Sequence, residues 1–119
     1  MRPFVFALLA LAPTAAAACP PGDPKLAARY ELQGVMEVGS EIELLADGRF
    51  SYGLAYGALD ESATGCWSRK GATVTLNVGK FEAGMEDPMK FSRLELKIVA
   101  HGALLRVFDE KHSGRYVRY

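Results

Sequence analysis

The chain holds few of the residues that catalysis and metal binding draw on. Its 119 residues include two histidines, two cysteines and one tryptophan. His101 precedes Gly102 in a turn-like pair, and His112 lies within Asp109-Glu-Lys-His-Ser-Gly114. Grouping His112 with Asp109 and Glu110 gives at most a weak metal site. The spacing fits no structural zinc pattern and no cysteine–histidine cluster supports it, so no metal is expected and both histidines read as surface residues. The phosphate-cradling glycine motifs are missing, as is Gly-x-Ser-x-Gly. Carboxylates do occur in pairs. Glu41 and Glu43 fall on the outer face of a strand pattern, while Asp60-Glu61 and Glu86-Asp87 fall in expected loops. Glycosidase chemistry needs two carboxylates across a cleft, which adjacency in sequence does not supply. The expectation is a protein that is not an enzyme and carries no cofactor.

An excess of charge of either sign is also lacking. The sequence has 14 Lys and Arg against 14 Asp and Glu, and the basic residues are scattered. They read as solvated faces, and no nucleic acid or anionic membrane surface is implied as partner. The longest apolar run, Phe4 to Ala12, is too short for a membrane span, which takes about 20 apolar residues.

What is present begins with that run. Arg2, the apolar stretch, Pro13 and the alanines 15–18 make a secretory signal over residues 1–18, which sends the protein to the periplasm or outside the cell. Ala16-Ala17-Ala18 satisfies the small-x-small rule for a cut before Cys19. Three readings of Cys19 stand open. It pairs with Cys66 in an oxidising compartment, or it is acylated and anchors the protein to the envelope, or both thiols are free. A lipid-anchored protein normally carries Leu or a similar residue where Ala16 stands. A disulfide would close a loop of 47 positions and stabilise the fold by about 4 kcal/mol at most.

Residues 19–29 form a Pro-rich arm, with three prolines between Cys19 and Pro24 and a short helical turn from Lys25 to Arg29. From residue 30 to 119 the period is two. Tyr30–Met36 and Glu41–Leu44 alternate, and Asp47-Gly48 supplies a hairpin turn. Phe50–Gly57 sets a large row (Phe50, Tyr52, Leu54, Tyr56) against a small one (Ser51, Gly53, Ala55, Gly57). Ala58–Thr64 reads as a loop. Gly65–Arg69 and Thr73–Val78 are strands, and residues 79–90 form the longest loop. Phe91–Val99, Ala103–Phe108 and Gly114–Tyr119 complete the set. About eight short sequential strands predict an all-β, antiparallel up-and-down barrel, with a two-sheet sandwich as the alternative.

The stretch Leu44-Leu-Ala-Asp-Gly-Arg-Phe-Ser-Tyr52, followed by Gly65-Cys-Trp-Ser-Arg-Lys-Gly-Ala-Thr-Val-Thr-Leu76, is similar to a pattern of lipocalin-like barrels in bacterial envelope proteins. The N-terminal barrel of the copper-resistance and envelope-stress lipoprotein family is one example. With Leu54-Ala-Tyr-Gly-Ala-Leu-Asp60, the chain also resembles a group of small secreted proteobacterial proteins. The resemblance spans roughly residues 40–78 and implies a lipocalin-like fold. The Cys-x-x-Cys pair of that lipoprotein family is absent, as is the Gly-x-Trp signature of true lipocalins, so no ligand or metal residue carries over.

Tyr52, Tyr56 and Trp67 are the candidate binding residues, on two neighbouring strands and able to share a face. They form a core cluster if the large row points inward. If the small row lines the lumen instead, a small apolar ligand fits there and the aromatics form an outer protein-binding patch. Trp67 in the core would turn Cys66 outward, within reach of the arm. The resulting expectation is an exported binding or accessory module for a protein partner, with a carrier of a small apolar ligand as the alternative.

Overall fold

The computed structural model describes residues 18–119. The expected signal segment, apart from Ala18, lies outside the described residues. Eight antiparallel strands run in chain order: β1 (Ala28–Gln33), β2 (Val38–Leu44), β3 (Arg49–Tyr56), β4 (Leu59–Lys70), β5 (Thr73–Ala83), β6 (Arg93–Ile98), β7 (Leu104–Val107) and β8 (Ser113–Arg118). Each pairs with the next, and β1 pairs with β8 from Tyr30↔Arg118 to Gln33↔Arg115, which closes the barrel and removes the sandwich alternative. Closure leaves no free strand edge.

Alternation decides which residues face inward. In β3 the large row turns in: Phe50, Tyr52 and Leu54 are buried while Ser51 and Ala55 are exposed. Val74, Leu76, Leu96, Leu104 and Tyr116 fill the same interior from other strands. Burying one such side chain contributes roughly 1.5–3 kcal/mol, so the inward row sets the register of every strand. The outward rows carry Arg29, Glu31, Glu41, Arg93, Glu95, Lys97 and Arg115, all exposed.

Two expected loops are strand. Of residues 58–64, read as a loop, all but Ala58 belong to β4, because Gly57-Ala58 is a two-residue turn that pairs Tyr56 with Leu59 at once. Residues 79–83, also read as loop, continue β5 past a bulge: Thr64 pairs with Lys80 but Gly65 pairs with Val78, which leaves Gly79 extra. The one-residue offset breaks the sequence rhythm without ending the strand. Gly65 is required there, since a Cβ on it would lie 2.1 Å from the Asn77 carbonyl oxygen. The helical turn expected at Lys25–Arg29 is a plain turn at residues 24–26, and β1 begins at Ala28.

The arm crosses the lower end of the barrel. Cys19 and Cys66 form a disulfide with Cα atoms 5.5 Å apart. That bond occupies the Cys19 sulfur, so the sulfur carries no lipid in this state, and it leaves no free thiol among the described residues. Gly22 donates its N–H to the Ala46 carbonyl (3.0 Å) and lies flat on the Trp67 ring, where a Cβ would fall 2.3 Å from the indole. Gly48 has φ +94°, and a side chain on it would strike the Pro20 carbonyl oxygen at 1.9 Å. Trp67 is fully buried beneath the arm and donates Nε1–H to the Leu45 carbonyl (2.8 Å). The lower end is thus closed by the arm, and the upper end is framed by the β1–β2, β3–β4, β5–β6 and β7–β8 connections.

Candidate binding site at the barrel mouth and the polar network beneath it

A half-open cavity of about 630 Å³ occupies the upper mouth. Its wall is mainly apolar: Val35 and Met36 from the β1–β2 turn, Val38 from β2, Leu54 and Tyr56 from β3, Met89 from the β5–β6 loop and Phe108 after β7. Asp109, Lys111, His112 and Ser113 supply one polar side. Met36 is 85% exposed and Tyr56 50% exposed, and Met85 of the β5–β6 loop is also half-exposed. Below this level Phe50, Val74, Leu76, Leu96 and Leu104 pack the interior solid. Space for a ligand therefore exists at the mouth rather than along the lumen.

The three aromatic candidates occupy different levels. Tyr56 lines the mouth. Tyr52 is buried at mid-barrel, its ring 5.1 Å edge-on from Phe91 of the β5–β6 loop. Trp67 lies four residues along β4 from Ala63, the partner of Tyr52, and packs under the arm. Tyr52 and Trp67 thus belong to the core, and only Tyr56 meets the cavity. Cys19 and Cys66 are on the barrel wall below. His112 is exposed and bonded through Nδ1 to Asp109 (2.8 Å). No group of three or more potential metal-ligating side chains occurs among the described residues.

Between the mouth and the packed base lies a buried polar network that the sequence reading did not anticipate. Arg106, expected on a solvated face, is 4% exposed, and Glu61, expected in a loop, is 1% exposed on β4. Arg106 Nη1 donates to the hydroxyls of Tyr52 and Tyr116, each at 3.1 Å. Its guanidinium stacks 4.3 Å from the Phe108 ring centre, with Phe91 at 5.7 Å. Because a guanidinium only donates, both phenols accept from it and pass their own protons onward. Tyr52 donates to Glu61 Oε1 at 2.7 Å. Tyr116 donates to Ser40 Oγ at 2.8 Å, since Ser40 spends its proton on the Gly53 carbonyl at 2.6 Å.

The far oxygen of Glu61, Oε2, has no hydrogen-bond partner, and neither does Asp87 Oδ2. The Asp87 side chain, carried in by the β5–β6 loop, lies within hydrogen-bonding reach of Glu61. Its other oxygen accepts the Met89 N–H at 2.8 Å. Burial, and then the Asp87 carboxylate, push Glu61 up to about 7. Burial likewise pushes the Tyr52 hydroxyl well above its usual range, so it stays a neutral donor.

Two signals in the sequence point to this network. On β4 the inward row ending at Trp67 runs back through Gly65 and Ala63 to Glu61. On β7 Leu104, Arg106 and Phe108 share a row, so the arginine sits between apolar residues. Asp87 has no such signal, because a loop residue's direction is not set by strand period. A titratable carboxyl near neutrality also suits a general acid. Neither Glu61 nor Asp87 lines the mouth cavity, however.

Comparison with known proteins finds no matching family model, and no curated protein or solved structure matches the chain. The fold does not itself assign a function, so the argument rests on the mouth and the network.

Proposed function

We propose that this protein is a non-enzymatic binding module that takes up a small, largely apolar molecule at the upper mouth of its barrel. One observation carries the reading: the mouth is a concave space of about 630 Å³ walled by Val35, Met36, Val38, Leu54, Tyr56, Met89 and Phe108. Pockets for small molecules are concave, mainly apolar and furnished with a few polar groups, and this volume falls within their usual range of roughly 300–1,000 Å³. With the large row of β3 turned inward, the ligand is placed at the rim rather than in the lumen, where the alternative reading of the sequence put it. The Cys19–Cys66 disulfide suits an oxidising, exported setting. Among the described residues no helix is long and apolar enough to cross a membrane. A periplasmic or secreted carrier fits these features.

A protein partner is the second reading. It is favoured by the exposure of Met36, Tyr56 and Met85 around the same rim, since exposed methionine and tyrosine suit an interface. The mouth would then accept an apolar side chain of the partner.

Titration of the oxidised protein with N-phenyl-1-naphthylamine, an uncharged apolar fluorophore, tests the small-molecule reading. Saturable binding is expected, with amide shifts centred on Leu54, Tyr56, Met89 and Phe108. Val38→Trp fills the cavity from its wall and should weaken binding by tenfold or more, about 1.4 kcal/mol. Binding that does not saturate, or that ignores Val38→Trp, removes the reading.

A further inference from the structure

Beneath the mouth, Glu61 and Asp87 hold two buried oxygens that nothing else satisfies, and the direction of the network shows what joins them. Arg106 can only donate, so Tyr52 accepts from it and must donate to Glu61 Oε1. A proton on Glu61 therefore cannot sit on Oε1 and belongs on Oε2. Asp87 Oδ1 is taken by the Met89 N–H, which leaves Oδ2 as the free acceptor. One proton between Glu61 Oε2 and Asp87 Oδ2 satisfies both orphans. Buried polar atoms left unpaired cost roughly 1–3 kcal/mol each, and more when charged.

We propose that this shared proton is a latch that fastens the β5–β6 loop, residues 84–92, onto the barrel and so controls access to the mouth. The proposal rests on the mouth being the binding site, because Met89 of this loop is part of its wall. Asp87 reaches into the barrel from the middle of the loop, Met89 follows it, and Phe91 packs edge-on against both Tyr52 (5.1 Å) and Phe81 (5.3 Å). Losing the proton places two carboxylates face to face in a buried site. The groups that meet Glu61 are Tyr52 from β3, Arg106 from β7 and Asp87 from the loop, with Tyr116 of β8 linked through Arg106. Tyr52 stays neutral and Tyr116 acts as a donor to Ser40, so Arg106 supplies the one positive charge. It balances one carboxylate and not two. The loop carrying Asp87 is joined to the barrel side chains by Phe91 packing and by this carboxyl pair, and it is the part expected to move.

The Met89 amide reports on the latch, because its N–H, bonded to Asp87 and part-buried while the loop is docked, is left to water when the loop lifts. Amide exchange, corrected for the intrinsic effect of pH, should show its protection falling by about thirty-fold between pH 6 and pH 8.5, the ratio of protonated fractions for a group titrating near 7. Glu61→Gln keeps an acceptor for Tyr52 and places a permanent N–H donor against Asp87. Its Met89 protection should stay constant over that range. Asp87→Asn offers the complementary donor from the loop side, leaves the barrel interior unchanged, and should also abolish the pH response. Constant protection in the unsubstituted protein overturns the latch, as does an equal fall in both variants. N-phenyl-1-naphthylamine binding at pH 6 is read separately, so failure of the mouth as a ligand site is distinguishable from failure of the latch.

Discussion

Replacing both Cys19 and Cys66 with serine should destabilise the barrel by up to about 4 kcal/mol and uncover its lower end. The first figure follows from the 47-residue separation of the bridged positions, through the entropy that the cross-link removes from the unfolded chain. A domain of this size has about 5–15 kcal/mol of stability in all, so the loss is a large fraction of it. With a urea slope of roughly 2 kcal/mol per molar, the midpoint should fall by about 2 M. The second effect is local. Without the staple the arm keeps one backbone bond from Gly22 to Ala46 and one partly exposed ion pair from Asp23 to Arg69 at 2.8 Å. The backbone bond contributes on the order of 1 kcal/mol at most, and the solvent-screened ion pair adds little. Ordering the backbone costs roughly 1–2 kcal/mol for each residue, so residues 19–23 should detach. Trp67, now buried beneath Gly22, would then meet water. As the chain has one tryptophan, acrylamide quenching of its fluorescence in the absence of urea reads this directly. A double-serine protein whose midpoint moves by less than about 0.5 M, and whose Trp67 stays unquenched, would show that packing rather than the bridge holds the arm.

Two other outcomes follow from the buried network. Arg106→Met should cost about 1.5–3 kcal/mol in urea unfolding at pH 7, because it removes the charged donor that the Tyr52 and Tyr116 hydroxyls share; a loss under about 0.5 kcal/mol would mean that the network does not depend on Arg106. Stability should also fall as pH rises from about 4.5 to about 7. Folded Glu61 keeps its proton up to about 7 while the unfolded group releases it near 4.5, so the folded state binds the extra proton in that window and loses up to about 3 kcal/mol across it. Asp23, Asp47 and Asp109 are held below their ordinary 3.8 by backbone N–H bonds, so they act in the opposite direction and at lower pH. Glu61→Gln should flatten the slope between 4.5 and 7, and a slope that persists in that variant would assign it to other groups.

Period two made most of the barrel legible in the sequence. A strand with one buried face must alternate, and Phe50–Tyr56 does so with side chains of contrasting size, but which of its two rows faces inward was settled only by the burial of Phe50, Tyr52 and Leu54. The arm was legible from its prolines, and its attachment from the position of Cys66 beside Trp67. The upper half of β4 was hidden because Leu59, Glu61, Ala63 and Gly65 form an inward row that is mostly small or charged. The end of β5 was hidden by the bulge at Gly79. Both failures fall around the polar network. An inward strand position that carries Glu or Arg breaks the apolar pattern, so the pattern fails where the chain spends charge inside the barrel. Asp87 was out of reach for a different reason: its place depends on the path of the loop, which tertiary packing of Phe91 decides.

The two ends of the barrel are finished by opposite means. At the lower end the chain closes the interior with a covalent staple, glycines that let the arm lie on Trp67, and a hydrogen-bonded indole. Every device there favours permanence. At the upper end the loop is held by Phe91 packing and by a carboxyl pair whose attachment depends on one proton. Stability alone does not call for such a pair, since apolar side chains of similar volume in place of buried charges are often neutral or stabilising by 1–4 kcal/mol. Apolar side chains of similar volume do fill other inward positions, among them Leu54, Leu76, Leu96 and Leu104. Arg106, Glu61 and Asp87 therefore make more sense as parts of a closure that can be undone than as parts of the core. The apolar rim of Met36, Tyr56 and Met85 fits the same division, because a surface that stays exposed around the reversible end is placed where a ligand can arrive and leave.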